Sequence, residues 1–153
     1  MSKKFRTFRG FEIIRSENDQ LSASLEDYLE MIYRKTKSEK FMRMTDLADE
    51  LNVSASAITK NVQRLACLGF VNYEPYGKVE LTEMGKHTGE FLYNRHITIE
   101  RFFQTLGCKD KGFVETEMIE HYLSRSTVSK LEKLTKFLIV YQDIWQEYLT
   151  NHK

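Results

Sequence analysis

Thr45-Asp46-Leu47-Ala48-Asp49-Glu50-Leu51-Asn52-Val53-Ser54-Ala55-Ser56-Ala57-Ile58-Thr59 reads as two helices crossing at a tight turn. Thr45 stands where an N-cap is needed, and Leu47, Ala48 and Leu51 form one inward face. Asn52-Val53 makes the turn, and Ser54 caps the second helix. Ile58, Val62, Leu65 and Leu68 keep a helical stripe until Gly69 stops it. The small residues permit close helix crossing, and the outer face of the second helix is polar.

The flanks extend this pattern. Upstream, Leu25, Leu29, Ile32 and Tyr33 recur at helical spacing behind Ser24 as a plausible N-cap, so residues 24–37 are expected to be helix. Downstream the period changes to two in Phe70-Val71-Asn72-Tyr73 and Lys78-Val79-Glu80-Leu81. Glu74-Pro75-Tyr76-Gly77 joins them with the chain's single proline at the hairpin tip, where no ladder hydrogen bond is lost. Three helices and a β-hairpin make a winged helix-turn-helix.

The rest shows only helical patterning. A long helix is expected from about residue 83 to residue 106, ended by Gly107, then a short one over 114–123. A last one, capped by Ser126, is expected over 127–149. Its Val128, Leu131, Leu134, Phe137, Leu138, Tyr141, Ile144, Trp145 and Tyr148 make a stripe too wide for a lone surface helix. A twofold homodimer would cover it, and packing within its own chain is the alternative. The expected fold is mainly α. Residues 1–21 form a basic extension, 22–82 a winged helix-turn-helix DNA-binding domain, and 83–153 an all-helical metal-binding and dimerisation domain.

Composition excludes several classes. With 41% hydrophobic and 29% charged residues over 153 positions, the chain is expected to be globular. No apolar run approaches the roughly 20 residues of a membrane span, and the first residues lead into no signal-peptide core. A cytoplasmic protein without membrane contacts is expected. Cys67 and Cys108 are the only cysteines, without zinc-finger spacing, and read as free thiols. A net charge of +1 leaves nucleic-acid binding to local clusters. Lys3, Lys4, Arg6, Arg9 and Arg15 are one such cluster, either a phosphate-touching arm or a solvated tail.

Two constellations carry chemistry. The outer face of the second crossing helix presents Ser54, Ser56, Thr59, Lys60, Gln63 and Arg64, and the wing tip adds Tyr76 and Lys78. Hydroxyls suit phosphates or bases, Gln suits adenine, and Arg or Lys suits guanine or phosphate, so these residues point to double-stranded DNA. Each alone also fits a solvated helix; their order with the hairpin carries the reading. The second constellation begins with Glu117-Met118-Ile119-Glu120-His121, three possible ligands at i, i+3 and i+4 on an expected helix. Asp27 and Glu30 lie at i, i+3 before the reader, and His96 lies on or beside the inward face of the long helix. Separately they read as an acidic surface and a core histidine.

Together, Leu25-Glu26-Asp27-Tyr28-Leu29-Glu30-Met31-Ile32-Tyr33, the 54–68 helix, Asn94-Arg95-His96 and Glu117-Met118-Ile119-Glu120-His121-Tyr122-Leu123-Ser124 resemble the diphtheria toxin repressor family of metal-dependent transcription repressors. The resemblance spans about residues 22–140 and is to the manganese transport regulator branch. It implies a homodimeric Mn²⁺-responsive repressor on operator DNA that controls manganese uptake genes, with Asp27, Glu30, His96, Glu117, Glu120 and His121 as ligands for two closely spaced Mn²⁺ ions per chain. Iron-responsive members are similar but place a cysteine where Glu117 stands. The oxygen-rich set suits Mn²⁺, although affinity order alone favours Fe²⁺, Co²⁺ or Zn²⁺. A repressor answering to Fe²⁺ or another divalent ion, and a metal-independent winged-helix regulator, stay open at this point. An enzyme is not expected: no paired Glu-x-x-His helices, base or nucleophile accompany the cluster, and no organic small-molecule substrate is implied.

Overall fold

The computed structural model describes Thr7 and residues 21–38, 41–74, 77–108 and 112–152. The basic cluster Lys3, Lys4, Arg6, Arg9 and Arg15, and Tyr76, lie outside the described residues. The chain divides into two compact units, Met1–Glu90 and Phe91–Lys153.

In the first unit, α1 (Ala23–Thr36) starts two residues before the position that Ser24 suggested. Ser22 holds the extended cap conformation and accepts from the Leu25 amide at 3.4 Å. Three small residues in a row allow either serine to cap, and the earlier one satisfies an amide that would otherwise go unpaired. α2 (Met44–Leu51) likewise starts before Thr45; Arg43 precedes it without a side-chain cap, and the Thr45 hydroxyl turns to Asp46. The reason lies in β1 (Met42–Arg43), a two-residue strand too short to show periodicity, which delivers the chain directly into α2. Asn52 closes α2 in the left-handed region at φ 50°, a conformation that Asn tolerates. Ser54 caps α3 (Ala55–Cys67) as expected, accepting from Ala57 N at 3.3 Å.

β2 (Val71–Tyr73) and β3 (Lys78–Leu81) form the expected hairpin, and β1 adds to the far side of β3, giving the antiparallel order β1-β3-β2. Val71 faces Leu81, and Tyr73 and Met42 both face Val79. The core is made by Leu25, Leu29 and Ile32 of α1, Met42, Leu47, Ile58, Val62, Leu65 and Val79, all almost wholly buried. Each such side chain contributes roughly 1.5–3 kcal/mol by leaving water.

α4 (Glu83–Leu106) begins in the first unit and ends in the second. Its opening turns pack on the winged helix: a Cβ on Gly85 would lie 1.9 Å from the Phe70 carbonyl oxygen, and one on Gly89 would lie 2.7 Å from Tyr33 Cβ. This is why the division falls inside α4 and not before it.

In the second unit, α5 (Gly112–Ile119) passes into a 3-10 turn, Glu120–Tyr122. The final helix expected over 127–149 is two helices, α6 (Arg125–Val140) and α7 (Gln142–Asn151), separated at Tyr141 (φ -105°, ψ 33°). Ser124, not Ser126, caps α6 by accepting from Thr127 N at 3.2 Å. Trp145 holds α7 by donating its indole N–H to the Thr105 carbonyl at 3.1 Å. This tertiary bond explains why continuous apolar spacing did not give a continuous helix. Val128 and Thr135 are buried, whereas Leu134, Phe137, Val140, Tyr141, Ile144 and Tyr148 are exposed. On the outer face of α6, the Lys136 ammonium beside Glu132 holds that carboxyl below its usual range. No helix among the described residues is long and apolar enough to cross a membrane.

Alanine in place of an exposed helical glycine stabilises by about 1 kcal/mol. Gly85→Ala is expected to do the reverse, costing about 1–3 kcal/mol through overpacking against the Phe70 carbonyl. Urea denaturation followed by circular dichroism checks the sign; a gain in stability would show that this contact is easily relieved.

Candidate functional site

The α3 surface carries most of the candidate DNA contacts. Ser56, Lys60, Gln63 and Arg64 are exposed and Thr59 is half-buried, so successive turns present one polar strip. Ser54 is exposed but committed to capping, and its hydroxyl also lies 3.0 Å from that of Ser56. The Thr59 hydroxyl donates to the Ala55 carbonyl at 2.9 Å. Those two side chains therefore serve the helix first, and Lys60, Gln63 and Arg64 are better placed for an outside partner. On the wing, Lys78 holds its ammonium 4.0 Å over the Phe41 ring. Such a contact orients the cation without neutralising it.

In the second unit, α4 supplies His96, and α5 with its 3-10 turn supplies Glu117, Glu120 and His121. His96 is 3% and Glu120 1% exposed, and His96 Nδ1 lies 3.0 Å from Glu120 Oε2. A carboxylate only accepts, so Nδ1–H donates and the imidazole lone pair is left at Nε2. A carboxylate that orients a histidine in this way is a common outer partner of metal-bound imidazole. Glu117, half exposed, sits at the rim with Oε1 3.6 Å from His96 Nδ1. Phe113 meets the His96 ring edge-on, with ring centroids 6.2 Å apart.

His121 departs from the expected helical face. The α-helix ends at Ile119, so His121 follows Glu120 in a tighter turn, with Nε2 3.9 Å from Glu120 Oε1. The cause is the cap that follows: Leu123 and Ser124 are extended to start α6, and the preceding turn closes through Leu123 N to Glu120 O at 3.4 Å.

In the first unit, Asp27 and Glu30 stand one turn apart on α1, with Asp27 half-buried and Glu30 6% exposed. Arg34 reaches back to Glu30 Oε1, with Nε at 2.9 Å and Nη2 at 2.5 Å. Arg34 and Arg95 are the site residues that sequence reading passed over. The Glu30–Arg34 spacing of four was legible as a helix ion pair. Arg95 stands four residues after Phe91, with its guanidinium 5.9 Å over that ring, but its contact with His121 Nδ1 at 3.3 Å joins residues 26 apart and was not legible along the chain.

Carboxylate oxygens and imidazole nitrogens without thiolate make a donor set that fits a divalent cation of borderline hardness. The burial of Glu120 beside His96 strengthens that fit, since a carboxylate out of water needs a positive or hydrogen-bonding partner.

Comparison with known proteins agrees with this layout. Residues 20–79 match the iron dependent repressor N-terminal DNA binding domain, and residues 82–143 match the iron dependent repressor metal binding and dimerisation domain. The chain belongs to the iron dependent repressor family. It is 36% identical over 115 residues to the HTH-type transcriptional regulator MntR of Oceanobacillus iheyensis, covering 74% of this chain and 78% of that protein. It is 35% identical over 115 residues to MntR of Bacillus subtilis, covering 74% of this chain and 81% of that one. Among solved structures, the manganese regulator SloR superposes with a TM-score of 0.65 at 28% identity, over 74% of this chain and 54% of that one. The chain thus spans about half the length of that structural relative. Family members are repressors, so an enzyme is excluded.

Glu120→Ala is expected to leave the His96 Nδ1–H buried without its acceptor, at a cost of about 1–3 kcal/mol in the absence of added metal. Glu120→Gln, which keeps a carbonyl acceptor, should recover most of it. Chemical denaturation in the presence of a chelator gives both values.

Proposed function

We propose that this chain is a Mn²⁺-responsive transcriptional repressor that binds operator DNA as a homodimer and controls manganese uptake genes in the cytoplasm. The observation that carries the reading is the buried His96–Glu120 pair, with Glu117 and His121 beside it, in a segment matching a metal binding and dimerisation domain. SloR is named a manganese regulator, which supports the same choice of ion, and MntR is named an HTH-type transcriptional regulator, which supports the DNA-binding role. Glu117, a carboxylate, keeps thiolate out of the donor set.

In this reading Asp27 and Glu30 of α1 join His96, Glu117, Glu120 and His121 as ligands. Six such side chains, four of them able to bind through two oxygens, are enough for two ions per chain. Bound divalent ions would neutralise carboxylates that otherwise repel, by roughly 3 kcal/mol for a pair about 5 Å apart at an effective dielectric of about 20. The ligands on α1 then tie the DNA-binding unit to the dimer, and the two α3 helices take the roughly 34 Å spacing of successive major grooves. Lys60, Gln63, Arg64 and Lys78, with Ser54, Ser56, Thr59 and Tyr76, contact the duplex. The exposed Leu134, Phe137, Val140, Tyr141, Ile144 and Tyr148 supply apolar surface for the second copy.

A coupling of about 1–3 kcal/mol makes DNA binding metal-responsive, equivalent to an affinity change of about 5- to 150-fold. Fluorescence anisotropy on duplexes selected from a random pool measures it with Mn²⁺ and with chelator. Equal affinity in both conditions, or an intact response in Glu120→Ala, would overturn the reading. Calorimetric titration with Mn²⁺, Fe²⁺, Co²⁺ and Zn²⁺ gives the stoichiometry and the effector. On the DNA side, Lys60→Ala is expected to weaken binding evenly across sequences and lower the salt slope by about 1, whereas Gln63→Ala relaxes selectivity at one base pair by about 1–3 kcal/mol.

A further inference from the structure

Two of the candidate ligands already carry an arginine from their own unit. In the second unit Arg95, only 3% exposed, brings Nη2 to 3.3 Å from His121 Nδ1. In the first, Arg34 places Nε and Nη2 at 2.9 and 2.5 Å from Glu30 Oε1. A guanidinium has five N–H donors, no acceptor and a permanent charge. It can bond these ligand atoms only through their lone pairs, which are the electrons a metal ion takes.

We propose that Arg95 and Arg34 are internal counter-cations that compete with the metal ion for His121 and Glu30, and thereby set the ion concentration at which the protein responds. The inference rests on the metal reading of the site. At His121 the competition is geometric. Because Nδ1 accepts from Arg95, the neutral ring carries its proton on Nε2, the nitrogen 3.9 Å from Glu120 Oε1. An ion taking Nδ1 displaces Arg95 directly. An ion taking Nε2 needs the proton on Nδ1, and that nitrogen then has no lone pair for Arg95. On either route the guanidinium withdraws from His121. Arg95 is buried, so withdrawal moves a charge that bulk water does not screen.

At Glu30 the competition is electrostatic. Both arginine donors converge on the same oxygen, and an ion binding there meets their positive charge. Arg34 is about a third exposed and can turn toward solvent, so its effect is the smaller of the two. Arg34 lies on α1 and Arg95 on α4, and neither is on the α3 surface. Their effect therefore falls on metal affinity and not on DNA contacts.

The test is Mn²⁺ binding to the full chain, measured by electron paramagnetic resonance of the unbound ion. Arg95→Met, similar in length and suited to a buried position, is expected to bind Mn²⁺ about tenfold tighter, or about 1.4 kcal/mol. Arg34→Met is expected to tighten binding about threefold, and Arg95→Lys, which keeps the charge, to stay closer to the parent. Equal or weaker affinity in Arg95→Met overturns the inference. A second readout needs no substitution: ¹⁵N-edited NMR of the chelator-treated protein should find His121 as the Nε2–H tautomer, and an Nδ1–H tautomer overturns the Arg95 contact. If the parent protein binds no Mn²⁺ at all, the metal reading itself fails. Binding that is unaltered by Arg95→Met sinks only the competition.

Discussion

Glu120 places a carboxylate almost completely out of water, and the second unit is arranged around meeting its needs. Charge in such a place is costly unless donors or cations surround it. His96 provides the donor from α4, which fixes the distance between α4 and the 3-10 turn to a hydrogen bond of 3.0 Å. Phe113 meets the same ring edge-on, and the chain after Glu120 turns sharply so that Ser124 can cap α6. A purely structural core would fill this position with an apolar side chain of similar volume at no loss of stability. Retaining a carboxylate and two imidazoles makes sense where a cation has to be received.

The DNA-binding unit solves a different problem. Its α3 must present polar side chains outward while Ile58, Val62 and Leu65 hold it rigidly from behind. Capping by Ser54 and the left-handed Asn52 set the crossing of α2 and α3, and β1-β3-β2 braces the far side. The start of α4 then closes on the hairpin, so near that only glycine fits at position 85. Local choices of cap, turn and small residue agree with the tertiary fold at each of these points, which is the condition for a single well-defined structure.

Arginine connects the two themes. On the α3 strip, Arg64 is exposed and available to a nucleic acid, whereas Arg95 is enclosed and Arg34 is bonded to a carboxylate of its own helix. The same residue type therefore meets an outside anion in one place and a candidate metal ligand in the others. Composition cannot separate these uses, since all three occupy helices with polar neighbours. Burial and partner separate them.

Much of this protein was legible along the chain. Helical and two-residue periods in the apolar side chains placed the winged helix and the helical second half, because burial of a continuous face is a local, repeating demand. The ligand types were legible too, since a carboxylate or imidazole keeps its chemistry wherever it sits. What the sequence could not decide were competitions between near-equal local options. Ser22 or Ser24, Ser124 or Ser126, and one final helix or two were settled by which groups found tertiary partners, as Trp145 did at Thr105. The placement of His121 on a 3-10 turn and the approach of Arg95 to it likewise depend on packing between segments far apart in sequence. The sequence by itself determined which chemistry is present and which faces are buried. Only the tertiary structure decided which of those groups meet, because a hydrogen bond between residues 26 apart leaves no period to read.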